Sequence, residues 1–271
     1  MNNYTRTNRQ NWNERVPIHA RSQMYDLAGF KAGASSLHSV ELEELGDDVP
    51  GKRLLHLQCH FGLDTLSWAR HGAQVTGVDF SDAAIALAGQ LSDELHIPAT
   101  WICADVLALR DSVAEQYDIV YTSYGVLPWL ADLERWAQVI ADSLVPGGTF
   151  YVVEDHPFTS VFGMEDEAPK FNVVHDYFPR AEPTRWEGGP TYTDGDAILS
   201  TPNYEWMHSL GEVITALASA GLQIVNVHEF PFCAWRRFPW LELGADGWWR
   251  LPPGNPSVPL TFSLRATKPS V

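Results

Sequence analysis

Residues 54–62 (LLHLQCHFG) and 75–81 (VTGVDFS) constrain this chain more than any other stretch. The first is a buried-strand run that ends in a tight turn at Gly62. Residues 63–70 (LDTLSWAR) then read as a helix closed by Gly72, and a second apolar strand ends in Asp79, 17 residues after Gly62. Strand, turn, helix, strand and acid is the layout of a nucleoside-binding βαβ unit. The turn lets backbone approach a ligand, the helix N-terminus faces it, and the acid can accept hydrogen bonds from two ribose hydroxyls.

The pattern continues on both sides of this unit. Ser81 is an N-cap candidate for a helix with apolar positions at Ile85, Ala88, Leu91 and Leu95. Residues 99–104 form a third strand, leading to Asp105 and Val106, and residues 117–124 a fourth. Asp105 also reads as the cap of a short helix near 107–113. Asp132 precedes a helix with Leu133, Trp136, Ala137, Ile140 and Leu144 at a 3.6-residue period. VPGGTF at 145–150 turns into a fifth strand at 150–153. Ser209 and Glu212 make a capping box for a helix ending at Gly221, and residues 222–229 and 259–266 are two further strands. Ahead of the sheet, residues 8–25 favour helix, with Trp12 and Tyr25 as its aromatic positions and Pro17 interrupting it, and residues 40–45 form a short helix.

Taken in order, these motifs resemble the class I S-adenosylmethionine-dependent methyltransferases, closely over residues 50–155 and more loosely over 205–267. The resemblance implies an α/β fold: a seven-stranded, mainly parallel sheet with an antiparallel last strand and helices on both faces. It also implies N-terminal lid helices over 1–48, a cofactor-binding core over 49–154, an aromatic-rich insertion over 155–205, and completion of the sheet with an aromatic loop over 206–271. The family carries an acid where His56 stands and glycines where Gln58 and His60 stand; Gly62 is retained. Asp64, in the first helical turn, can replace the missing acid or simply stabilise the helix dipole.

The implied cofactor is S-adenosylmethionine, with no metal. Its contacts would come from Trp12 and Tyr25 on the lid, and from His56, Gln58, Cys59, His60, Gly62 and Asp64 at the turn. Asp79, Phe80 and Ser81 follow the second strand, Asp105 and Val106 the third, and Ser123 and Tyr124 end the fourth. For Trp12 and Tyr25 the competing reading is plain packing. Candidate catalytic groups are His156, His228 and Tyr124, with His156 equally readable as a hydrogen-bonded loop histidine. Asp155, His156, Trp186, Trp206, Trp235 and Trp240 are the candidate substrate pocket. They lie in or just beside two Pro- and Trp-rich connections, 155–205 and 231–256, which are expected to close over one pocket at the same sheet edge. Aromatic walls suit an apolar or aromatic acceptor or a cationic amine, and they also suit mere loop packing.

A net charge of −16 with only 18 Lys and Arg disfavours nucleic acid as a partner. Three cysteines without a C-x-x-C pair disfavour a disulfide framework. The polar first residues and the absence of a long apolar run read as a cytoplasmic chain with no membrane partner. The expected activity is methyl transfer to a small molecule. A non-catalytic cofactor-binding protein of the same fold is the second reading, and an RNA or protein methyltransferase a third. A nicotinamide oxidoreductase fits poorly, because G-x-G-x-x-G is missing.

Overall fold

Both faces of the central strands are covered, which is why they read as unbroken apolar runs. In the computed structural model, which describes residues 1–163, 171–193 and 195–270, seven strands form the main sheet. They are β1 (Arg53–Leu57), β2 (Gln74–Asp79), β3 (Ala99–Cys103), β4 (Tyr117–Ser123), β5 (Leu144–Asp155), β6 (Gln223–Phe230) and β7 (Thr261–Thr267), in the order β3-β2-β1-β4-β5-β7-β6. β1 to β5 pair in parallel, and β7 runs antiparallel to both of its neighbours.

Among the described residues seven α-helices accompany the sheet: α1 (Asn3–His19), α2 (Leu27–Lys31), α3 (Ser39–Leu45), α4 (Leu63–Arg70), α5 (Asp82–Leu95), α6 (Leu133–Ser143) and α7 (Leu210–Ser219). Leu55, Leu57, Val120, Phe150 and Phe262 point to one face and pack on Trp136, Ile140 and Leu217 of α6 and α7. Leu54, Ile119, Tyr121 and Val153 point to the other and meet Val40, Leu45 and Trp68 of α3 and α4. Complete burial of such side chains stabilises the fold by about 1.5–3 kcal/mol each.

The capping residues act as the sequence indicates. Ser81 accepts from the Ala84 amide at 3.1 Å, Asp132 from Arg135 at 2.8 Å, and Ser209 and Glu212 complete their box. Three features differ from expectation. Pro17 lies in the last turn of α1 and does not interrupt it. β5 begins at Leu144, so the Pro-Gly-Gly segment is an irregular part of the strand. The segment near 107–113 is a single 3-10 stretch, Val106–Asp111.

Thr261 of β7 pairs with Asp155 at the end of β5 and with Phe230 at the end of β6. Both long connections therefore leave the sheet at one edge. The first contains a small hairpin, Thr184–Trp186 against Asn203–Glu205, and a bridge between Pro190 and Ile198; residues 164–170 and 194 of it lie outside the described residues. The second folds into a three-stranded sheet of Phe232–Cys233, Glu242–Leu243 and Trp249–Arg250. No helix among the described residues is long and apolar enough to cross a membrane.

Candidate functional site

The loops that follow β1 to β4 surround a cavity of about 360 Å³, within the range of small-molecule sites. Gln58 and His60 shape the turn after β1 with φ of 57° and 51°, a region that normally favours glycine. Tertiary bonds hold them there. The His60 amide donates to Asp79 Oδ2 at 2.9 Å and Gln58 Nε2 to the Val126 carbonyl at 3.1 Å. Asp79 Oδ1 accepts from the Ser81 amide at 2.8 Å. A carboxylate has about four acceptor positions, so Asp79, which lines the cavity, keeps capacity for a ligand. Burial raises its pKa to about 6 against the pull of these amides.

Asp64 forms the next part of the wall. Its oxygens accept from Ser36 Oγ at 2.6 Å and Ser123 Oγ at 2.9 Å, and His38 stands beside it. The Tyr124 hydroxyl donates to Glu41 Oε2 at 2.9 Å, and Glu41 does not line the cavity. His56 lines the cavity with Nδ1 bonded to Thr65 Oγ1 at 2.8 Å, and burial pushes it down to about 3, so it is neutral. The floor beyond β4 hangs on Glu154. Its carboxylate accepts from the amides of Gly125, Val126 (2.7 Å), Leu127 (3.2 Å) and Asp155 (2.6 Å). Burial and then Asp155 raise its pKa while the amides of the loop lower it.

Burial, reinforced by Asp64, pushes the Glu41 carboxyl up to about 8, so it is protonated in the fold at neutral pH. The unfolded chain ionises it from its ordinary 4.5 upward. The favourable contribution is therefore complete below 4.5 and is lost as pH rises through 8. In urea titrations, the stability of the protein relative to Glu41→Gln is expected to fall by about 1.4 kcal/mol per pH unit across that window. A difference that does not change with pH would show Glu41 to be ionised in the fold.

The roof is built by α1 and the two connections. Asn8, Asn11, Arg15 and His19 lie on the buried face of α1. Asn8 pairs with the Tyr204 backbone at 2.7 and 2.8 Å, and Asn11 Nδ2 donates to the Thr201 carbonyl at 2.6 Å. Arg15 lies over Trp12, Trp129 and Tyr192. The hydroxyls of Tyr25 and Tyr192 are 2.7 Å apart, and the Tyr192 ring lies 5.7 Å from Trp235. Tyr192, Ala234 and Trp235 all line the cavity, so the connections after β5 and β6 meet over it.

Of the residues singled out from sequence, Trp12, Tyr25, His56, Gln58, Cys59, His60, Gly62, Asp64, Asp79, Phe80, Asp105, Val106, Ser123, Tyr124 and Trp235 line this cavity. Asp105 also caps the following turn through the Leu107 amide at 3.1 Å. Others are placed elsewhere. Ser81 is buried under α1, with Oγ donating to Asn13 at 2.6 Å. Asp155 anchors the second connection from behind, accepting from Trp235 Nε1 and Arg237 Nη1, both at 2.9 Å. His156 has no free nitrogen: Nδ1 accepts from the Phe158 amide at 3.1 Å and Nε2 donates to Glu229 at 2.8 Å. His228 projects from β6 to Glu44 at 2.6 Å. Trp186 is exposed on the hairpin, Trp206 packs against Tyr4, and Trp240 stacks on Phe238 in a satellite core. None of these candidates lines the cavity.

Residues 54–148 match the family described as a methyltransferase domain. A ubiquinone biosynthesis O-methyltransferase from Coxiella burnetii is 32% identical over 129 residues, covering 47% of this chain and 54% of that protein. The chain thus spans about half the length of the curated relatives it matches. A solved S-adenosylmethionine-dependent methyltransferase from Clostridium acetobutylicum superposes with a TM-score of 0.58 at 13% identity, covering 94% of this chain and 96% of that one. The sheet order and these likenesses decide the architecture. This is the class I methyltransferase fold. The methyltransferase fold also belongs to a (4+2)-cyclase, SpnF, which superposes with a TM-score of 0.56 at 16% identity over 97% of this chain and 95% of its own; fold alone does not determine the reaction.

S-adenosylmethionine fits the residues of this methyltransferase fold. Three buried polar atoms on cavity-lining side chains have no partner among the described residues: His56 Nε2, Gln58 Oε1 and His60 Nδ1. With Asp64 and Asp79 they offer donors and acceptors around a chamber of nucleoside size. Among the described residues no group of three or more His, Cys, Asp or Glu is arranged to hold a metal ion. His19, Arg15, His38, Glu41, Trp129 and Tyr192 were not apparent from sequence. The only available signal was the spacing of Asn8, Asn11, Arg15 and His19 along one helical face.

Proposed function

We propose that this chain binds S-adenosylmethionine in the cavity and transfers its methyl group to a small-molecule acceptor. The observation that carries the reading is Asp79, a buried carboxylate at the end of β2 that faces the cavity beside the turn after β1. Asp79 would take the ribose hydroxyls, Asp105 and Val106 the adenine, and Gln58, His60 and Asp64 the amino-acid arm. The cofactor supplies an electrophilic methyl group on a sulfonium. The work of the protein is then mainly alignment, which can supply roughly 7–11 kcal/mol of the barrier. The roof of Trp12, Trp129, Tyr192 and Trp235 excludes water and presents aromatic faces to the acceptor. Four aspartates and no Lys or Arg line the cavity among the described residues, which favours an uncharged or cationic acceptor over an anionic one. His38, on the wall beside Asp64, is placed to take a proton from an acceptor that must lose one; burial lowers its pKa and Asp64 opposes that.

Asp79→Ala is expected to weaken S-adenosylhomocysteine binding by roughly 1.5–3 kcal/mol, the scale of hydrogen bonds to a charged group, measured by calorimetric titration. In the unaltered protein, affinity should decline as pH falls through about 6, where Asp79 gains a proton and loses an acceptor. Unchanged affinity in the variant, or thermal stabilisation by NAD alone, would overturn the cofactor assignment. Binding without transfer of a labelled methyl group to any low-mass acceptor would favour the non-catalytic reading.

A further inference from the structure

A methionyl arm ends in a carboxylate, and the cavity presents it with Asp26, Asp64, Asp79 and Asp105 but with no Lys or Arg among the described residues. The arm needs a donor that is not a cation. His60 lines the cavity, and its Nδ1 is buried with no partner among the described residues. Its other nitrogen is the end of a chain. His60 Nε2 lies 3.1 Å from His19 Nδ1, and His19 Nε2 lies 2.8 Å from Thr191 Oγ1. Arg15 Nη1 reaches the same hydroxyl at 3.1 Å.

The chain has a direction. A guanidinium only donates, so Arg15 occupies a lone pair of Thr191 Oγ1. The hydroxyl proton then has one acceptor among the described contacts of that oxygen, His19 Nε2. With Nε2 accepting, a neutral His19 carries its proton on Nδ1 and donates to His60 Nε2. His60 in turn carries its proton on Nδ1. Both rings are neutral: burial, then Arg15, pushes His19 down to about 3, and burial, His19 and Arg15 hold His60 well below its ordinary value.

We propose that His60 Nδ1–H is the donor for the ligand's carboxylate, and that Arg15, Thr191 and His19 fix its polarity from behind the cavity wall. Arg15 thus acts on the ligand without touching it, through hydrogen bonds that polarise one another. Thr191 belongs to the connection after β5, so the insertion sets the binding preference of the core turn. The proposal rests on the S-adenosylmethionine reading.

Calorimetry with two nucleosides tests it. S-adenosylhomocysteine carries the amino-acid arm; 5′-methylthioadenosine has the same adenosine and thioether without it. Thr191→Val is expected to weaken S-adenosylhomocysteine about tenfold, the scale of one hydrogen bond to a charged group, while leaving methylthioadenosine within about twofold. Thr191→Ser, which keeps the hydroxyl, should restore the affinity. Nitrogen NMR of the unaltered protein should find the ring protons of His19 and His60 on Nδ1. Equal loss of both nucleosides in Thr191→Val, no loss of either, or a proton on His60 Nε2 overturns the chain while the cofactor reading stands. Binding of neither nucleoside by the unaltered protein overturns both.

Discussion

Glu154→Ala is expected to destabilise the protein by roughly 4 kcal/mol or more, since each buried donor left without an acceptor costs about 1–3 kcal/mol. Four backbone amides converge on this one carboxylate, those of Gly125, Val126, Leu127 and Asp155. The first three belong to the loop after β4, which enters it through left-handed conformations at Tyr124 (φ 28°) and Gly125 (φ 77°). Nothing local compels that path, and Glu154, reaching across from β5, supplies the acceptors. Gly125 and Val126 also line the cavity, so the variant should lose S-adenosylhomocysteine binding along with stability. Glu154→Gln separates charge from shape. Its carbonyl can still serve one pair of amides, but its NH₂ confronts the other pair, so an intermediate loss is expected in urea unfolding. A loss below about 1 kcal/mol in the alanine variant, no more than one ordinary hydrogen bond, would mean that the loop is held by something other than this carboxylate.

Gly62→Ala comes next in size, at roughly 2–4 kcal/mol, combining left-handed strain with overpacking. Gly62 has φ 81°, and a Cβ there would stand 2.3 Å from Trp101 Cη2 and 3.2 Å from Ala88 Cβ. The same indole lies against Gly77, where a Cβ would meet Cζ3 at 2.4 Å. Gly62 is thus required twice, by the turn below the cavity and by a tryptophan packed beneath it. Trp101→Phe, which removes the outer ring, should recover part of the loss in the Gly62→Ala background by relieving the clash while leaving the backbone strain. If the two substitutions simply add in thermal unfolding, the indole contact is not the cause.

Features with a local cause were legible in the sequence. The acid after β2 and the caps at Ser81, Asp132 and Ser209 each follow from neighbouring residues, whereas the antiparallel last strand was what the resemblance to the methyltransferases implied. Fifteen of the cavity-lining residues were named from sequence, most of them because they sit at or just beyond strand ends. His156 and His228 do not line the cavity, which sequence could not show, because a titratable side chain near a sheet edge looks alike whether or not it is already bonded; here Phe158 and Glu229 take both nitrogens of His156, and Glu44 takes Nδ1 of His228. Trp240 packs on Phe238 in a satellite core, and aromatic density in a loop does not distinguish that from a pocket wall.

The helix α1 marks the boundary between the two kinds of information. Its buried face carries Asn8, Asn11, Arg15 and His19, the reverse of the apolar stripe by which a packed helix is recognised. Those residues are buried because the backbone of residues 201–204 offers Asn8 and Asn11 the hydrogen bonds that water would otherwise supply. The sequence by itself determined the order of strands and helices, the turn and the acid that follows β2, since each depends on propensity, periodicity or spacing within a few residues. Only the tertiary structure decided which polar groups are satisfied and which are left without a partner among the described residues. Hydrogen bonds between Arg15, Thr191, His19 and His60 join segments up to 176 residues apart, and no local rule specifies a contact made across that distance.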